Sequence, residues 1–223
     1  MPSILRYLGI GIEDEFGSAV GADQHYDIAS ATLDAPTETE MEWPGGLSRG
    51  RRTRRPGPYV PGGNVVCAVD VNTIFYLLYL LFGDYEQDGP DEELYTYSLQ
   101  PQRNNLILPS GTFLLGKDAF EHEFAGGTVS QLTLNVDREF ARATADVIAQ
   151  KDAKNAIKAE ANLTMSAAYP LAFHELTVEL DEGDESAYVE SVTLTINNNA
   201  AGDAGVNMGS RYPARIYAGD SSI

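Results

Sequence analysis

One cysteine, Cys67, is all that the 223 residues contain. No disulfide can close within the chain, and without a C-x-x-C pair or a Cys/His cluster a thiolate metal site is excluded. Lysine is scarce as well. Four lysines (Lys117, Lys151, Lys154, Lys158) and 11 arginines face 33 Asp and Glu, a formal charge of −18. Proteins that grip nucleic acid by neutralising phosphates carry the reverse balance, so sequence-specific DNA binding is disfavoured. Long apolar runs are missing too. The longest, TIFYLLYLLF at residues 73–82, is half of the ~20 residues that span a bilayer core. The first nine residues hold one positive charge and too short an apolar stretch for a secretory peptide, which points to a chain that starts in the cytosol.

What is present suffices for a core. Hydrophobic residues make up 43% of the chain, with 12 Tyr and 8 Phe, which argues against intrinsic disorder despite the charge. The length suits one domain over residues 1–223. A carboxylate-dominated surface with few lysines has a halophilic character, because concentrated salt screens repulsion that would strain the same fold in dilute buffer.

Along the chain, Gly9, Gly11, Gly17 and Gly21 punctuate a turn-rich opening, and residues 26–33 read as a strand. Residues 37–43 alternate, with Glu38, Glu40 and Glu42 on one face and Thr37, Thr39, Met41 and Trp43 on the other. Pro44 to Gly63 is dense in proline and glycine and reads as a long loop of the kind that is usually functional or docked on a neighbour. It carries Arg49, Arg51, Arg52, Arg54 and Arg55, nearly half of all the arginines. A helix is expected over Val71 to Phe82, opened by Asp70 or Asn72 and closed by Gly83. Ile74, Leu77, Leu78 and Leu81 form its apolar stripe, widened by Phe75, Tyr79 and Phe82.

The remainder reads largely as strands: Tyr95 to Leu99, then Phe120 to Phe124, a hairpin turn at Gly126-Gly127, and Thr128 to Asp137. Residues 139–149 fit helix or strand, with strand favoured, and 150–162 reads as a polar insertion. Ala172 to Leu180 and Ala187 to Ile196 alternate around an acidic turn, and Arg215 to Tyr217 is a short strand near the end. An end just after the Gly219-Asp220 turn leaves that strand without a partner. Either another subunit supplies one or the sequence continues beyond Ile223.

Signatures of catalysis are weak. Gly9-Ile10-Gly11 has Asp14 where a dinucleotide fingerprint needs its third glycine, so an ordinary turn is expected there. Walker-type and nucleophile-elbow motifs are absent. His25, His122 and His174 lie apart, and Glu121 and Glu123 point away from His122 on a strand. Asp181 to Glu185 lacks a full calcium loop, and Asn162-Leu163-Thr164 is a weak glycosylation triplet. No catalytic residue, metal or cofactor is therefore expected. The arginine loop has obvious partners among the carboxylates of an identical neighbour, and the Glu38, Glu40, Glu42 face would form an anionic wall in a closed ring.

Four stretches run in order along most of the chain: GIGIEDEFGSAV (9–20), the Gly/Pro/Arg loop leading into NVVCAVDVNTIFYLLYLLFG (64–83), GTVSQLTLNVDREFARATADVIA (127–149) and ESVTLTINNNAAG (190–202). In this pattern the chain resembles the tail tube proteins of long-tailed viruses, and its acidity suggests a haloarchaeal virus. The resemblance implies a mainly β fold, a β-sandwich or barrel with one flanking helix and a long extended loop. It also implies hexameric rings stacked into a tube through which viral DNA passes without specific binding. Partners would be the tape measure, tail terminator and baseplate or tip proteins, in a virion tail assembled in the host cytoplasm. By the same resemblance Arg49, Arg51, Arg52, Arg54 and Arg55 would make subunit or ring contacts, and Leu77, Leu78 and Leu81 would pack the helix on the sandwich. Segments 37–43 and 128–137 would face the channel, with Glu38, Glu40 and Glu42 as lining. The alternatives are a capsid-decorating or host-adhesion β-domain, a single-ring tail adaptor or completion protein, and a glycan hydrolase built on two carboxylates.

Overall fold

The computed structural model describes residues 5–36, 40–43, 53–88, 96–101, 107–177, 179–180, 183–184, 189–202, 205–220 and 222. Their elements in chain order are β1 (Leu5–Ile12), β2 (Gln24–Tyr26), β3 (Ile28–Ala31), β4 (Glu40–Trp43), β5 (Thr53–Pro56), β6 (Gly62–Ala68) and α1 (Val71–Phe82). There follow β7 (Gly83–Asp88), β8 (Thr96–Pro101), β9 (Gly111–Lys117), β10 (Glu121–Asp137), β11 (Arg142–Ile148), β12 (Lys151–Asn155), β13 (Glu179–Leu180), β14 (Gly183–Asp184) and β15 (Ser191–Asn197). The fold is mainly β, with a nine-stranded antiparallel sheet in the order β2-β1-β9-β10-β11-β6-β3 and with β12 and β15 also paired to β10.

The 17-residue β10 organises the molecule. Its first half pairs with β9 and β12, its second half with β11 and β15. Inward residues of both halves meet in one core: Leu8, Ile10, Phe113, Leu115 and Phe124 from one side, Val65, Cys67, Leu132, Ala143, Ala145 and Val147 from the other. The sheet therefore bends back on itself into two layers, and each large apolar side chain so enclosed contributes about 1.5–3 kcal/mol. The bend sits at Gly126, at φ +68, where the register against β9 shifts between Phe124 and Gly127. Residues 126–127 thus form a bulge inside one strand rather than the hairpin turn expected from the Gly-Gly pair.

The first two glycines also differ from expectation. Gly9 and Gly11 lie inside β1, because residues 21–22 cross close above it. A Cβ on Gly11 would lie 2.2 Å from the Gly21 carbonyl oxygen, and one on Gly9 2.8 Å from Ala22 Cβ. Part of the expected 44–63 loop is strand: β5 pairs with β4, and β6 begins at Gly62. The 150–162 stretch supplies β12 and a 3-10 turn at Glu160–Asn162. Phe173–Glu175 is a 3-10 turn where a strand was expected, and among the described residues Tyr217 makes only isolated bridges, to Ile107 and Ala201.

Helix α1 forms as its sequence dictates. Asp70 accepts the Thr73 amide at 2.6 Å, and Gly83 closes the helix at φ 87. Leu77 and Leu81 are buried, Leu78 is partly buried against the same core, and Leu80 is fully buried as well. The side-chain amide of Asn198 donates to the Leu81 carbonyl, tying the helix end to the chain after β15. Among the described residues no helix is long and apolar enough to cross a membrane.

Candidate assembly surfaces

Strand β15 is exposed along most of its length. Five of its seven residues, Ser191 to Thr195, are exposed, including Val192 and Leu194. Its inner edge pairs with β10 from Ser191↔Asp137 to Asn197↔Gln131. On its outer edge, among the described residues, only Asn197 is bridged, to Ser222. Backbone donors and acceptors along 191–196 thus form an open border, a template for another strand.

The face of β15, β10, β11 and β6 turned away from the core is polar and ordered. Thr133 and Thr195 hydroxyls lie 3.2 Å apart, Asn135 donates to Thr193 at 3.4 Å, and Asn197 donates to Gln131 at 3.1 Å. Thr144, Asp146 and Asn64 continue this face on β11 and β6, in register with Thr133, Gln131 and their neighbours. Two ion pairs rim it, Arg138–Glu190 at 2.6 Å and Arg142–Glu139 at 2.5 Å. All four side chains are exposed, so these pairs organise the rim and add little stability.

Three two-stranded pairs stand apart from the main sheet among the described residues, β4–β5, β7–β8 and the short β13–β14, and two of them carry charged or aromatic side chains of interest. In the first, β4 pairs with β5, setting Glu42 opposite Arg54 and Met41 opposite Arg55. The acidic strand is therefore registered against the arginine strand, and β4 is not part of the nine-stranded sheet. Arg55 is exposed. Glu38, Arg49, Arg51 and Arg52 lie outside the described residues. In the second hairpin β7 pairs with β8, and its Tyr85 and Tyr97 contact Phe75 and Tyr79 of α1, with Phe75 and Tyr97 ring centroids 4.8 Å apart.

Ionisable groups inside the fold are committed to holding it together. Glu13, 7% exposed, accepts four hydrogen bonds of 2.7–2.9 Å, from the amides of Gly17 and Gly126 and the hydroxyls of Ser110 and Thr112. His122 is fully buried. Lys117 Nζ donates to its Nδ1 at 3.2 Å, which leaves the proton on Nε2 to be donated to Asp152 at 2.9 Å, while Tyr59 donates to the same carboxylate at 2.5 Å. Glu121 accepts from the Tyr7 hydroxyl at 2.7 Å and lies 3.6 Å from Lys158. Burial pushes the Cys67 thiol up to about 12, with Asp70 adding to the effect, so it stays a protonated core residue. Among the described residues no group of three or more His, Cys, Asp or Glu is set to hold a metal.

The sequence put Glu121 and Glu123 on the face opposite His122, but the true partner, Asp152, comes from β12, a segment with no strand signature. The four donors on Glu13 were equally invisible, because they come from residues up to 113 positions away. The open border at 191–196 carries a signal in its alternation, but the outer edge of a strand cannot be read from alternation alone.

A family model described as phage tail tube protein matches residues 4–223. A search of curated proteins gives no match.

Proposed function

The chain belongs to the phage tail tube protein family, and from that premise we propose that it closes into hexameric rings that stack into the conduit for viral DNA. Its role is structural and its place is the virion tail, where it assembles with other tail proteins. The observation that carries the finer reading is β15, a seven-residue strand whose outer border along 191–196 has no partner among the described residues, on a sheet whose polar face is already ordered. In a ring the contact is heterologous, so β15 of one copy meets the opposite border of the same sheet, β3, in the next. Closure then removes both exposed edges.

On this reading the lumen is lined by Thr133, Asn135, Thr144, Asp146, Thr193 and Thr195. Hydroxyls, amides and a carboxylate offer DNA few cationic anchors, and without counterion-releasing contacts the strand slides. Glu40 and Glu42 sit instead on the β4–β5 arm, with Arg54 and Arg55. Arg49, Arg51 and Arg52, which lie between β4 and β5 in sequence, join Arg54 and Arg55 in the contact with a neighbouring subunit or ring. Leu77, Leu78 and Leu81 hold α1 on the outside of the bent sheet. The tape measure, terminator and tip proteins are the expected partners at the two tube ends.

The charge of −18 with four lysines supports a long-tailed virus of a haloarchaeal host, since a stack of such subunits needs screening salt to form. Electron microscopy of the purified protein in molar salt tests the function. Annular particles with a central hole, alone or stacked, are expected. Particles that decorate only a preformed capsid, or a single ring that never stacks, would favour the decoration or adaptor role instead.

A further inference from the structure

After β12 the chain leaves the sheet, and residues 156–170 run as a strap from β10 past β1 to β2. Its two ends are fixed. Asn155 donates to Glu123 at 2.8 Å, the Leu171 amide donates to the Val69 carbonyl at 2.8 Å, and the Leu171 carbonyl accepts from the Ala141 amide at 2.8 Å. Between those ends no residue is buried, and Met165 and Tyr169 are exposed. A segment with so little apolar burial depends on its hydrogen bonds and belongs to the least stable part of the fold.

Three of those bonds converge on His25 in β2. The His25 amide donates to the Thr164 carbonyl at 2.8 Å, the His25 carbonyl accepts from the Ser166 amide at 2.9 Å, and the Thr164 amide donates to Nδ1 of the ring at 3.2 Å. The first two make a parallel bridge to Met165 on the side of β2 turned away from β1. The strap therefore guards a sheet border that would otherwise invite another strand. Further ties are the Lys158 amide on the Tyr7 hydroxyl at 3.3 Å, the Lys158 ammonium 3.6 Å from Glu121, and the Asn72 side chain on Ser166 at 3.2 Å.

The bond to Nδ1 depends on the charge of the ring. Nδ1 accepts from an amide only while it carries no proton, so the single proton sits on Nε2, a buried atom with no hydrogen-bond partner among the described residues. The ring is 3% exposed and stands edge-on to Tyr7, with centroids 5.3 Å apart. A second proton turns Nδ1 into a donor. It then meets the Thr164 amide as donor against donor, and the acceptor nearest in sequence, the Thr164 carbonyl, already serves the His25 amide. The charged groups that act on the ring are Lys158 of the strap and Glu121 of β10, whose carboxylate is already engaged by Tyr7 of β1 at 2.7 Å and by Lys158. Burial first, and then Lys158, lowers the ring's pKa from 6.5 and outweighs Thr164 and Glu121, so the bond is intact at neutral pH.

We propose that residues 156–170 are an acid-released cover for the free border of β2, with His25 as its latch. A proton taken up at Nδ1 expels the Thr164 amide, the two backbone bonds of the same short stretch follow, and the His25 amide and carbonyl are left open to another strand. The latch operates within one chain, whether or not rings form.

Hydrogen–deuterium exchange of the full chain at pH 7 and pH 5, corrected for intrinsic rates, tests it. In the parent, amides of the strap should lose protection about tenfold at pH 5 while those of α1 keep theirs. His25→Asn offers Thr164 an oxygen that does not titrate, so its strap should be equally protected at both pH values. Thr164→Pro removes the donor and leaves the imidazole, so the strap amide of Ser166 should exchange fast at both. Strap protection unchanged by acid in the parent would overturn the proposal, as would a His25→Asn or Thr164→Pro chain that responds to acid as the parent does. Loss of α1 protection together with that of the strap would show global unfolding in place of a latch, which also contradicts it.

Discussion

The Glu13 carboxylate accepts the backbone amide of Gly126 at 2.9 Å, joining the end of β1 to the bend of β10. That amide belongs to a residue at φ +68, in the bulge that lets one strand serve both layers. The same carboxylate also holds Gly17, Ser110 and Thr112, so both of its oxygens are satisfied without a cation. Glu13→Gln keeps the shape but turns an NH2 group toward donors. A loss of about 2–4 kcal/mol is expected in urea unfolding, and Glu13→Ala should lose more.

Gly126→Ala tests the bend itself. The added Cβ would lie 2.6 Å from Gln150 Cβ and 3.3 Å from the Phe16 ring, at a backbone angle that costs non-glycine residues about 1–2 kcal/mol. A destabilisation of ~2 kcal/mol or more is expected from chemical denaturation. An unchanged midpoint would mean that the bend is not a fixed feature of the fold.

These two residues also mark where sequence reading stopped. Helix α1 was legible to its caps, because Asp70, Gly83 and the leucine stripe are local signals. So were β11 and the alternating second half of β10. The Gly-Gly pair misled because its local meaning is a turn, while the donor and acceptor that make it a bulge are far apart in sequence. Gly9 and Gly11 misled for a similar reason, since a crossing segment, not a turn, forbids their side chains. The pairing of the arginine strand with the glutamate strand was not legible, because β4 and β5 are separated by nine residues, PGGLSRGRR, that carry no strand signal.

Thr73 offers a substitution expected to stabilise. It is fully buried in the first turn of α1, and its hydroxyl has no hydrogen-bond partner among the described residues. Thr73→Val keeps the shape and removes that polar group, so a gain of about 1 kcal/mol is expected in thermal unfolding. Asp70→Ala, which removes the cap from the same turn, should cost about 1 kcal/mol. A loss on Thr73→Val would show that the hydroxyl is satisfied.

Acid should weaken the fold in two windows. Burial, helped by Lys158, holds His25 below its ordinary 6.5. As pH falls through 6.5 the unfolded chain takes up a proton that the folded chain resists, so stability present above 6.5 is lost below it. Burial alone would raise the Asp152 carboxyl, but hydrogen bonds from His122 and Tyr59 outweigh it and hold the group below 3.8. Its contribution is complete above 3.8 and is lost as pH falls further. Urea midpoints against pH should show His25→Asn flattening the change between pH 7 and 5, and Asp152→Asn flattening it below pH 4. A variant that tracks the parent through its own window would contradict the assignment.

Salt dependence follows from charge. With a formal −18, the melting temperature should rise steadily between dilute buffer and molar salt as repulsion is screened. Differential scanning calorimetry over that range measures it, and a flat profile would remove the halophilic reading.

The central claim is that the open border of β15 is completed by another copy. Cryo-electron microscopy of particles assembled in molar salt tests it most directly. The account predicts a neighbouring strand hydrogen-bonded along residues 191–196, with Thr133, Thr144, Thr193 and Thr195 facing a central channel. A closed particle in which that border faces solvent, or a protein that remains single at high concentration and high salt, would contradict it.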